Sequence, residues 1–324
     1  MGDILVSIHC AAYNHERYIA DAIEGFLMQK TNFKFEILIH DDASTDRTPD
    51  IIREYEKQHP DLIKPIYQTV NQYSKGQSIS KLNLKRAKGK YIALCEGDDY
   101  WTDPYKLQKQ VDYMEKYPEC SLSVHGGYVV NASDKHIISK SRAHKGNKIF
   151  HTEEIIERGG ALFVTNSMLY PLKYINNRPD FFNKAPVGDY PLAIYLSLLG
   201  TVYYMDEYMS AYRTAVSNSW TERNYSTINK KVEHYNKITA MLDEINQYSL
   251  GKFEKVINRT KYQNQLHLFL EQRKFKEAKE GGNKQYYLDL GYKKRMIILM
   301  DQYFPTILKF ARSVKRSWNK WEMR

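Results

Sequence analysis

Short apolar runs alternate with amphipathic stretches along the first hundred residues of the chain. Residues 4–11 form a largely apolar run that predicts a buried strand, and residues 17–29 carry apolar side chains at helical spacing. Strands that alternate with helices build a mostly parallel sheet covered on both faces, so the pattern predicts an α/β fold. The further strands are predicted over 35–40, 62–68 and 91–95, and the further helices over 46–58 and 77–87.

The pattern loosens after residue 103. A charged helix with proline in its first turn is predicted over 104–117, and a β-rich passage follows over 121–131. A strand over 201–205 is the last one predicted, and from about residue 225 the sequence is typical of long helices. We therefore predict an α/β domain in residues 1–224 and a helical C-terminal extension in residues 225–324.

The basic residues of the chain are concentrated in its last hundred residues. Residues 1–224 contain 27 Lys and Arg against 28 Asp and Glu, whereas residues 225–324 contain 21 against 10, a net charge of +11. Near the end, Lys and Arg are interleaved with apolar residues at helical spacing. Such a helix fits an anionic membrane surface, but it also fits docking on its own domain or on a second copy. The apolar residues are Phe310, Val314, Trp318 and Trp321.

Cysteine usage and apolar segments bear on the compartment. Cys10, Cys95 and Cys120 are widely spaced, and two of them lie in apolar runs, which is typical of small buried side chains in a reducing compartment. The longest uncharged stretch, residues 190–205, is shorter than the roughly 20 residues of a membrane-spanning helix. The N-terminal residues run directly into an apolar strand without a basic region or a cleavage site, so secretion is not expected. We expect a cytoplasmic protein, or a peripheral one on the cytoplasmic face of the membrane.

Polar residues follow three of the predicted strands, at the ends where parallel sheets bind their ligands. They lie at 12–16, 40–46 and 96–101, and the last two segments each contain a pair of aspartates. A single Asp pair is typical of a turn or a helix cap, but two pairs at two strand ends favour a Mg²⁺ or Mn²⁺ site completed by a diphosphate. The sequence lacks the glycine motifs of dinucleotide-binding and P-loop proteins, which opposes redox and P-loop chemistry.

Four segments carry a shared pattern: Val6-Ser7-Ile8 with Ala12-Tyr13-Asn14, Asp41 to Thr48, Ala87 to Ile92, and Glu96-Gly97-Asp98-Asp99. Together they resemble family 2 glycosyltransferases with the GT-A fold. The resemblance implies transfer of a sugar from a nucleotide donor, by default a UDP-sugar, with inversion at the anomeric carbon. It also implies a donor half in residues 1–103, an acceptor half in residues 104–224, and a glycan or lipid-linked acceptor in cell-surface polysaccharide or glycoconjugate synthesis.

The resemblance also assigns roles to individual residues. Asp98 and Asp99 would bind the metal, with Asp98 also beside the ribose, and Asp42 would accept a hydrogen bond from the base. Two positions depart from the family, since Glu96 stands where Asp is frequent and Ala215 where many relatives have His. The other donor-site residues that the resemblance implies are Ala11 and Tyr13 at the nucleobase, together with Asn14, Glu16 and Arg213.

The general base of the family is typically an acidic residue that opens a later helix, and Asp189 has that position. Inversion requires a carboxylate near the acceptor hydroxyl to take its proton. Asp189 also fits a helix cap, and the two roles are compatible. Asn166 and Ser167 could contact the acceptor or form hydrogen bonds within a strand or turn. Trp101 and Trp220 could stack on sugars or belong to the core.

Three other functions are compatible with parts of the sequence. A nucleotidyltransferase has a related sheet, but a Gly-rich basic loop is expected after its first strand, where this chain has Tyr13-Asn14-His15-Glu16. A catalytically inactive, sugar-nucleotide-binding relative would share the donor site. A nucleic-acid-binding protein is opposed, because the basic residues lie outside the predicted crevice and no nucleic-acid motif accompanies them.

Overall fold

The computed structural model describes residues 3–175, 178–214, 216 and 225–307. The chain divides into two compact units. The first unit consists of Met1–Asn183 and Val187–Glu222, and the second of Lys184–Pro186 and Arg223–Arg324. The described strands all belong to the first unit, and the second unit is built from helices.

The first half of the sheet reproduces the predicted alternation of strands and helices. Its strands are β1 (Ile4–Ala12), β2 (Lys34–Asp41), β3 (Ile63–Tyr67) and β4 (Tyr91–Leu94). They are parallel and lie in the order β3-β2-β1-β4. The connecting helices are α1 (Ile19–Leu27), α2 (Thr48–Gln58) and α3 (Ile79–Leu84). The α/β prediction is therefore confirmed.

The second half of the sheet is mixed. Its strands are β5 (Tyr100–Trp101), β6 (Cys120–Asn131), β7 (Ile137–Ser141), β8 (Lys148–Phe150), β9 (Leu169–Pro171) and β10 (Thr201–Thr214). β9 joins the two halves because it pairs antiparallel with both β4 and β6, and β10 runs parallel to β6. The helices of this half are α4 (Lys106–Lys116), α5 (Thr152–Arg158), α6 (Phe181–Lys184) and α7 (Asp189–Leu199).

Strand β10 is longer than the strand predicted over residues 201–205. Asp206 and Glu207 interrupt its apolar pattern, and a charged pair of this kind is typical of a turn. The strand nevertheless continues to Thr214, because its pairing with β6 shifts register at this point, as in a β-bulge. Arg213, which the resemblance assigns to the donor, therefore lies at the end of a sheet strand.

The core of the first unit packs around β1, whose two faces are both covered. Val6, Ile8 and Cys10 of this strand are fully buried, and so are Ile23 and Phe26 of α1. All three cysteines of the chain are free and buried, which confirms their prediction as small interior side chains.

Gly89 allows the loop before β4 to approach β1 closely. A Cβ at this position would lie 2.4 Å from the backbone nitrogen of Ser7. Instead, the amide of Gly89 donates to the hydroxyl of Ser7 at 2.9 Å, and that hydroxyl donates to Glu36 at 2.7 Å. This buried network fixes β4 beside β1, and with it the loop that follows β4.

The second unit confirms the predicted C-terminal helices. Met241, Leu242 and Ile245 are buried on its first helix, and Ile257 on its second. Among the described residues, no helix combines the length and the apolar character needed to cross a bilayer. The basic tail from residue 308 onward lies outside the described residues. The helices are α8 (Ile228–Tyr248), α9 (Glu254–Glu271), α10 (Asn283–Asp289) and α11 (Gly291–Tyr303).

Candidate functional site

Three strand ends meet at one edge of the sheet. The amide of Asp42, just after β2, donates to the carbonyl of Ala12 at 2.9 Å, and the amide of Gly97, after β4, donates to the carbonyl of Ala11 at 2.9 Å. Position 97 has no room for a side chain, since a Cβ there would lie 2.9 Å from His15 Nδ1. The loops after β1, β2 and β4 therefore lie together, as expected for the carboxyl ends of parallel strands.

The loops after β1 and β2 are joined by hydrogen bonds, in which side chains of the first loop accept backbone amides of the second. Asn14 Oδ1 accepts the amide of Thr45 at 2.8 Å, and Glu16 Oε2 accepts the amide of Arg47 at 3.1 Å. Asn14 has the left-handed backbone (φ 56°) that asparagine tolerates better than most residues. Tyr13 is 42% exposed. Asn14 and Glu16, expected at the donor, thus connect the two loops, and Tyr13 is exposed beside them.

Asp42 is buried and holds the turn that follows β3. Its Oδ1 accepts the amide of Gln72 at 2.7 Å, and its Oδ2 accepts the amide of Tyr73 at 3.0 Å. His40 Nε2 lies 3.8 Å from Oδ1, and burial lowers the pKa of this histidine, which favours its neutral form. The carboxylate that the resemblance assigns to the nucleobase is therefore buried, and each of its oxygens accepts one amide of the chain itself.

Glu96 to Asp99, which follow β4 after the single residue Cys95, form an acidic loop. Asp99 is buried within it, and its Oδ1 accepts the backbone amide of Arg213 at 2.9 Å while its Oδ2 accepts the side-chain amide of Asn166 at 3.0 Å. Burial, together with the charges of Asp98 and Glu96, raises the pKa of Asp99. Asp99 is therefore tied into the fold of the first unit.

Asp98 and Glu96 are the more accessible side chains of the acidic loop. Asp98 is 22% exposed, and its Oδ2 lies 4.0 Å from His15 Nε2. Glu96 reaches solvent, yet the protein atoms crowded around its carboxylate and the charges of Asp98 and Asp189 raise its pKa. These mutually repelling carboxylates suit a divalent cation. Within the described part of the chain, no three acidic, His or Cys side chains converge on one point, so a cation here would need further oxygen ligands.

Asp189 is the first residue of α7 and lies near the acidic loop. Its Oδ1 accepts the amide of Tyr190 at 2.7 Å, and its Oδ2 accepts the hydroxyl of Thr165 at 3.2 Å. Burial raises the pKa of Asp189. Asn166, next to Thr165 in the turn Thr165–Ser167, donates to Asp99. One short turn therefore connects the candidate base with the acidic loop.

Arg213 is buried and contacts groups of the protein itself. Its Nη1 donates to the carbonyl of Asp98 at 2.6 Å, and its Nη2 pairs with Asp21 of α1. Its Nε has no hydrogen-bond partner among the described residues. The guanidinium that the resemblance assigns to the donor is thus engaged with the protein through two of its three nitrogens.

Asn166, Ser167 and Trp101 belong to the interior. Asn166 and Ser167 are fully buried. Ser167 donates to the carbonyl of Val164 in its own turn, whereas Asn166 donates to the distant residues Asp99 and Ala211, so both side chains are engaged with the protein itself. Trp101 donates to the carbonyl of Asn166 at 2.9 Å and packs edge-to-face on Phe26, as a core residue. Trp220 and Ala215 lie outside the described residues.

Thr165 and Asp21 are two residues of the site that the sequence does not reveal. Thr165 orients Asp189, and Asp21 pairs with Arg213, which is 192 positions away in the chain. Asp21 lies in an amphipathic helix where a surface carboxylate is ordinary, and Thr165 lies in an irregular segment without periodicity. No local pattern marks either partner, because both contacts are made by the tertiary fold.

Comparison with known proteins reveals relatives over much of the chain. The sequence profile described as Glycosyl transferase family 2 matches residues 7–169. An uncharacterized protein of Mycobacterium tuberculosis is 35% identical over 222 residues, which are 66% of this chain and 60% of that protein. The chain thus spans 60% of the length of this relative. WfaP of Escherichia coli, a UDP-Glc:alpha-D-GlcNAc-diphosphoundecaprenol beta-1,3-glucosyltransferase, is 42% identical over 112 residues, 34% of this chain and 41% of WfaP.

A solved structure agrees on the architecture. S. aureus TarS 1-349 in complex with UDP-GlcNAc superimposes with a TM-score of 0.57 at 14% identity, covering 92% of this chain and 79% of that one. Identity this low shows the fold alone, and it confirms the predicted GT-A fold with C-terminal helices. The family profile spans half of the chain and includes β1 from residue 7 onward, the acidic loop and the Thr165–Ser167 turn. This protein is therefore a member of glycosyltransferase family 2.

Proposed function

We propose that this protein is an inverting glycosyltransferase that moves a sugar from a UDP-sugar to a hydroxyl group of a glycan or a lipid-linked acceptor. The observation that carries the proposal is the position of Asp189 near the acidic loop, with the Thr165–Ser167 turn bonded to both. A single displacement requires a base near the acceptor hydroxyl and, beside it, a site that binds the negatively charged leaving diphosphate with its cation. The UDP-GlcNAc bound by TarS, and the UDP-Glc donor and diphosphoundecaprenol-linked acceptor in the name of WfaP, support this choice of substrates.

The proposed reaction is one displacement at the anomeric carbon. The acceptor oxygen forms a bond to this carbon while the bond from the carbon to the diphosphate oxygen breaks, and the electron pair leaves with the diphosphate. Asp189 takes the proton of the attacking hydroxyl. Hydrogen bonds from Thr165 and from the amide of Tyr190 orient the Asp189 carboxylate. Because its pKa is raised by burial, it is a stronger base than a solvated aspartate.

Asp98 and Asp99 would hold a divalent cation, Mn²⁺ or Mg²⁺, together with diphosphate oxygens and water. When bound, such a cation offsets the negative charge that develops on the leaving diphosphate. Asp98 is the accessible member of the pair. Asp99 already accepts two hydrogen bonds, so it keeps only its remaining lone pairs for a cation and mainly supports the loop.

The donor would lie over the ends of β1 and β2. Ala11 and Tyr13 would border the nucleobase, and Asp42 would accept a hydrogen bond from its ring. Asn14 and Glu16 would act by fixing the loop that carries Tyr13, since their side chains bond the loop after β2. In this proposal, the first 103 residues bind the donor and the following part of residues 1–224 binds the acceptor.

The C-terminal region, residues 225–324, would bring the enzyme to its acceptor. Its net charge of +11 favours an anionic membrane surface on the cytoplasmic face, and a second copy of the chain is the alternative partner. We place the reaction in cell-surface polysaccharide or glycoconjugate synthesis.

The Asp189→Asn variant tests the proposal. Wild-type protein with Mn²⁺ is screened against a panel of nucleotide sugars for turnover and for a donor-induced rise in melting temperature, since a bound donor stabilises the folded state. Asp189→Asn should lose at least about 100-fold in turnover and keep the thermal shift. Asp50→Asn, an exposed aspartate on α2, should keep both.

Other outcomes identify the alternatives. Unchanged turnover in Asp189→Asn would exclude Asp189 as the base. A wild-type thermal shift without turnover on any donor and acceptor would indicate a catalytically inactive sugar-nucleotide-binding protein. Release of pyrophosphate from a nucleoside triphosphate and a sugar phosphate would indicate a nucleotidyltransferase.

A further inference from the structure

Arg213 lies where β10, α1 and the acidic loop meet. Its backbone amide donates to Asp99 Oδ1 at 2.9 Å, and its Nη1 donates to the carbonyl oxygen of Asp98 at 2.6 Å. Its Nη2 pairs with the carboxylate of Asp21 on α1. Arg213 thus forms hydrogen bonds with both aspartates of the acidic loop, while its positive charge is paired with a carboxylate of helix α1.

The surroundings of Arg213 leave its guanidinium little freedom. The guanidinium carbon lies 4.5 Å from the ring centroid of Tyr100 and 5.1 Å from that of Tyr18. The side chain is fully buried, so its charge depends on Asp21 rather than on solvent for compensation. Asp21 is itself held by Lys135, whose Nζ donates to its Oδ1 at 2.7 Å.

We propose that Arg213, held by Asp21, is a positioning residue that fixes Asp98 and Asp99 for binding of the donor diphosphate and its cation. This inference rests on the proposed function, because it assumes that the acidic loop binds the donor. A guanidinium presents a planar fork of N–H donors, so it can bond the carbonyl of Asp98 and the carboxylate of Asp21 at once. A lysine ammonium is a compact point charge and cannot reproduce this geometry.

The role of Asp21 separates this proposal from a direct contact between Arg213 and the donor. Asp21 lies on α1 and is connected to the backbone of Asp98 through the guanidinium. Its second partner, Lys135, lies over the ring of Tyr100, so exchange at residues 96–99 is the informative part of the readout. If Arg213 works by positioning, Asp21→Asn should reproduce the defect of Arg213→Lys. Both substitutions remove the pairing between the guanidinium and the Asp21 carboxylate that holds Arg213 against the carbonyl of Asp98. Residues that act through one shared interaction give non-additive effects, so the double variant should be no more impaired than the more impaired single variant.

Two measurements on the full chain test the proposal. Hydrogen exchange followed by mass spectrometry reports the mobility of residues 96–101 and requires no turnover. Titration of Mn²⁺ in the transferase assay reports the cation requirement. Arg142→Lys is the matched control, because Arg142 also pairs with an aspartate, Asp206, in the same unit and makes no contact with the acidic loop in the structure.

We expect Arg213→Lys and Asp21→Asn both to exchange faster over residues 96–101, to need more Mn²⁺ and to lose roughly 10- to 100-fold in kcat/KM, the scale of a displaced catalytic group. Arg142→Lys should match the wild type. Wild-type loop exchange and kinetics in Asp21→Asn would overturn the proposal, as would a general loss of protection without a local change at the loop. If the wild type transfers no sugar, the proposed function fails, and the exchange comparison alone still decides whether Arg213 orders the loop.

Discussion

Replacing Asn166 by alanine should destabilise the first unit and disturb its acidic loop. The side chain is fully buried and makes three hydrogen bonds. Its Nδ2 donates to Asp99 Oδ2 and to the carbonyl of Ala211, both at 3.0 Å, and its Oδ1 accepts the hydroxyl of Ser210 at 2.6 Å. Alanine would leave these three interior partners without their contact to residue 166.

The expected magnitude follows from these bonds. A buried hydrogen bond between neutral groups contributes about 1 kcal/mol, and one to a charged group about 1.5–3 kcal/mol. Two bonds of the first kind and one of the second give a loss of about 3.5–5 kcal/mol. Because the free energy of unfolding of a domain is only about 5–15 kcal/mol, the variant should still fold but at a clearly lower melting temperature.

Denaturant unfolding of the full chain, followed by tryptophan fluorescence, measures this loss. Trp101 is a suitable reporter because its indole donates to the carbonyl of Asn166. Asn32→Ala, at an exposed asparagine of the same unit, is the control and should stay within about 0.5 kcal/mol of the wild type. An Asn166→Ala protein that unfolds like the wild type but has a raised KM for the acceptor would refute the reasoning and restore a direct acceptor contact.

Proton binding, backbone packing and a buried charge each give a further prediction. Because burial raises the pKa of Asp189, and a general base must be deprotonated, kcat/KM should fall as the pH drops through a value above the ordinary 3.8, which a pH–rate profile measures. Gly89→Ala should lower the free energy of unfolding by about 1–3 kcal/mol or more through overpacking, because the added Cβ would lie 2.4 Å from a backbone nitrogen of β1. The control Gly188→Ala, with open space around residue 188, should lower the free energy of unfolding by less. Lys106 is buried over the Trp101 ring, and burial lowers its pKa from 10.5 to about 7. The unfolded chain binds this proton more tightly, so stability should rise between about pH 7 and 10.5 in the wild type relative to Lys106→Met, as denaturation at several pH values would show.

Each of these predictions has a contradicting result. An acidic limb at or below the ordinary aspartate pKa would mean that Asp189 is solvated in the working enzyme. Equal melting temperatures for Gly89→Ala and wild type would mean that β1 and the loop before β4 move apart to accommodate the added Cβ at little energetic cost. Parallel stability curves for wild type and Lys106→Met would mean that the ammonium group keeps its charge in the interior.

The sequence predicts the first half of the fold well because its signals are local. The strand predicted over 4–11 is observed as Ile4–Ala12, and the helix predicted over 46–58 as Thr48–Gln58. Strand β10 is missed beyond residue 205 because the charges of Asp206 and Glu207 interrupt the apolar pattern. In the folded protein Arg142 pairs with Asp206, so a carboxylate that predicts a turn is tolerated within a strand.

In the candidate site, too, residues marked by local sequence signals are predicted, and contacts between distant segments are not. Asp98, Asp99 and Asp189 follow a strand or open a helix, positions that a sequence marks. The pairing of Asp21 with Arg213 is set by the folding of distant segments, and so is the burial of Asn166. Residue type alone could not decide whether Asn166 faces the acceptor or the interior, because asparagine suits both environments.

The cross-bonded loops after β1 and β2 bear on how donor preference could diverge within such a scaffold. Asn14 and Glu16 receive amides of the opposite loop, so the backbone around Tyr13 is braced independently of the tyrosine ring. Replacing Tyr13 by another residue would change the surface beside the proposed nucleotide site. The hydrogen bonds of Asn14 and Glu16 that connect the two loops would remain. In the proposed function, where Tyr13 borders the nucleobase, position 13 is therefore a place where substitutions could change nucleotide preference without weakening the loops.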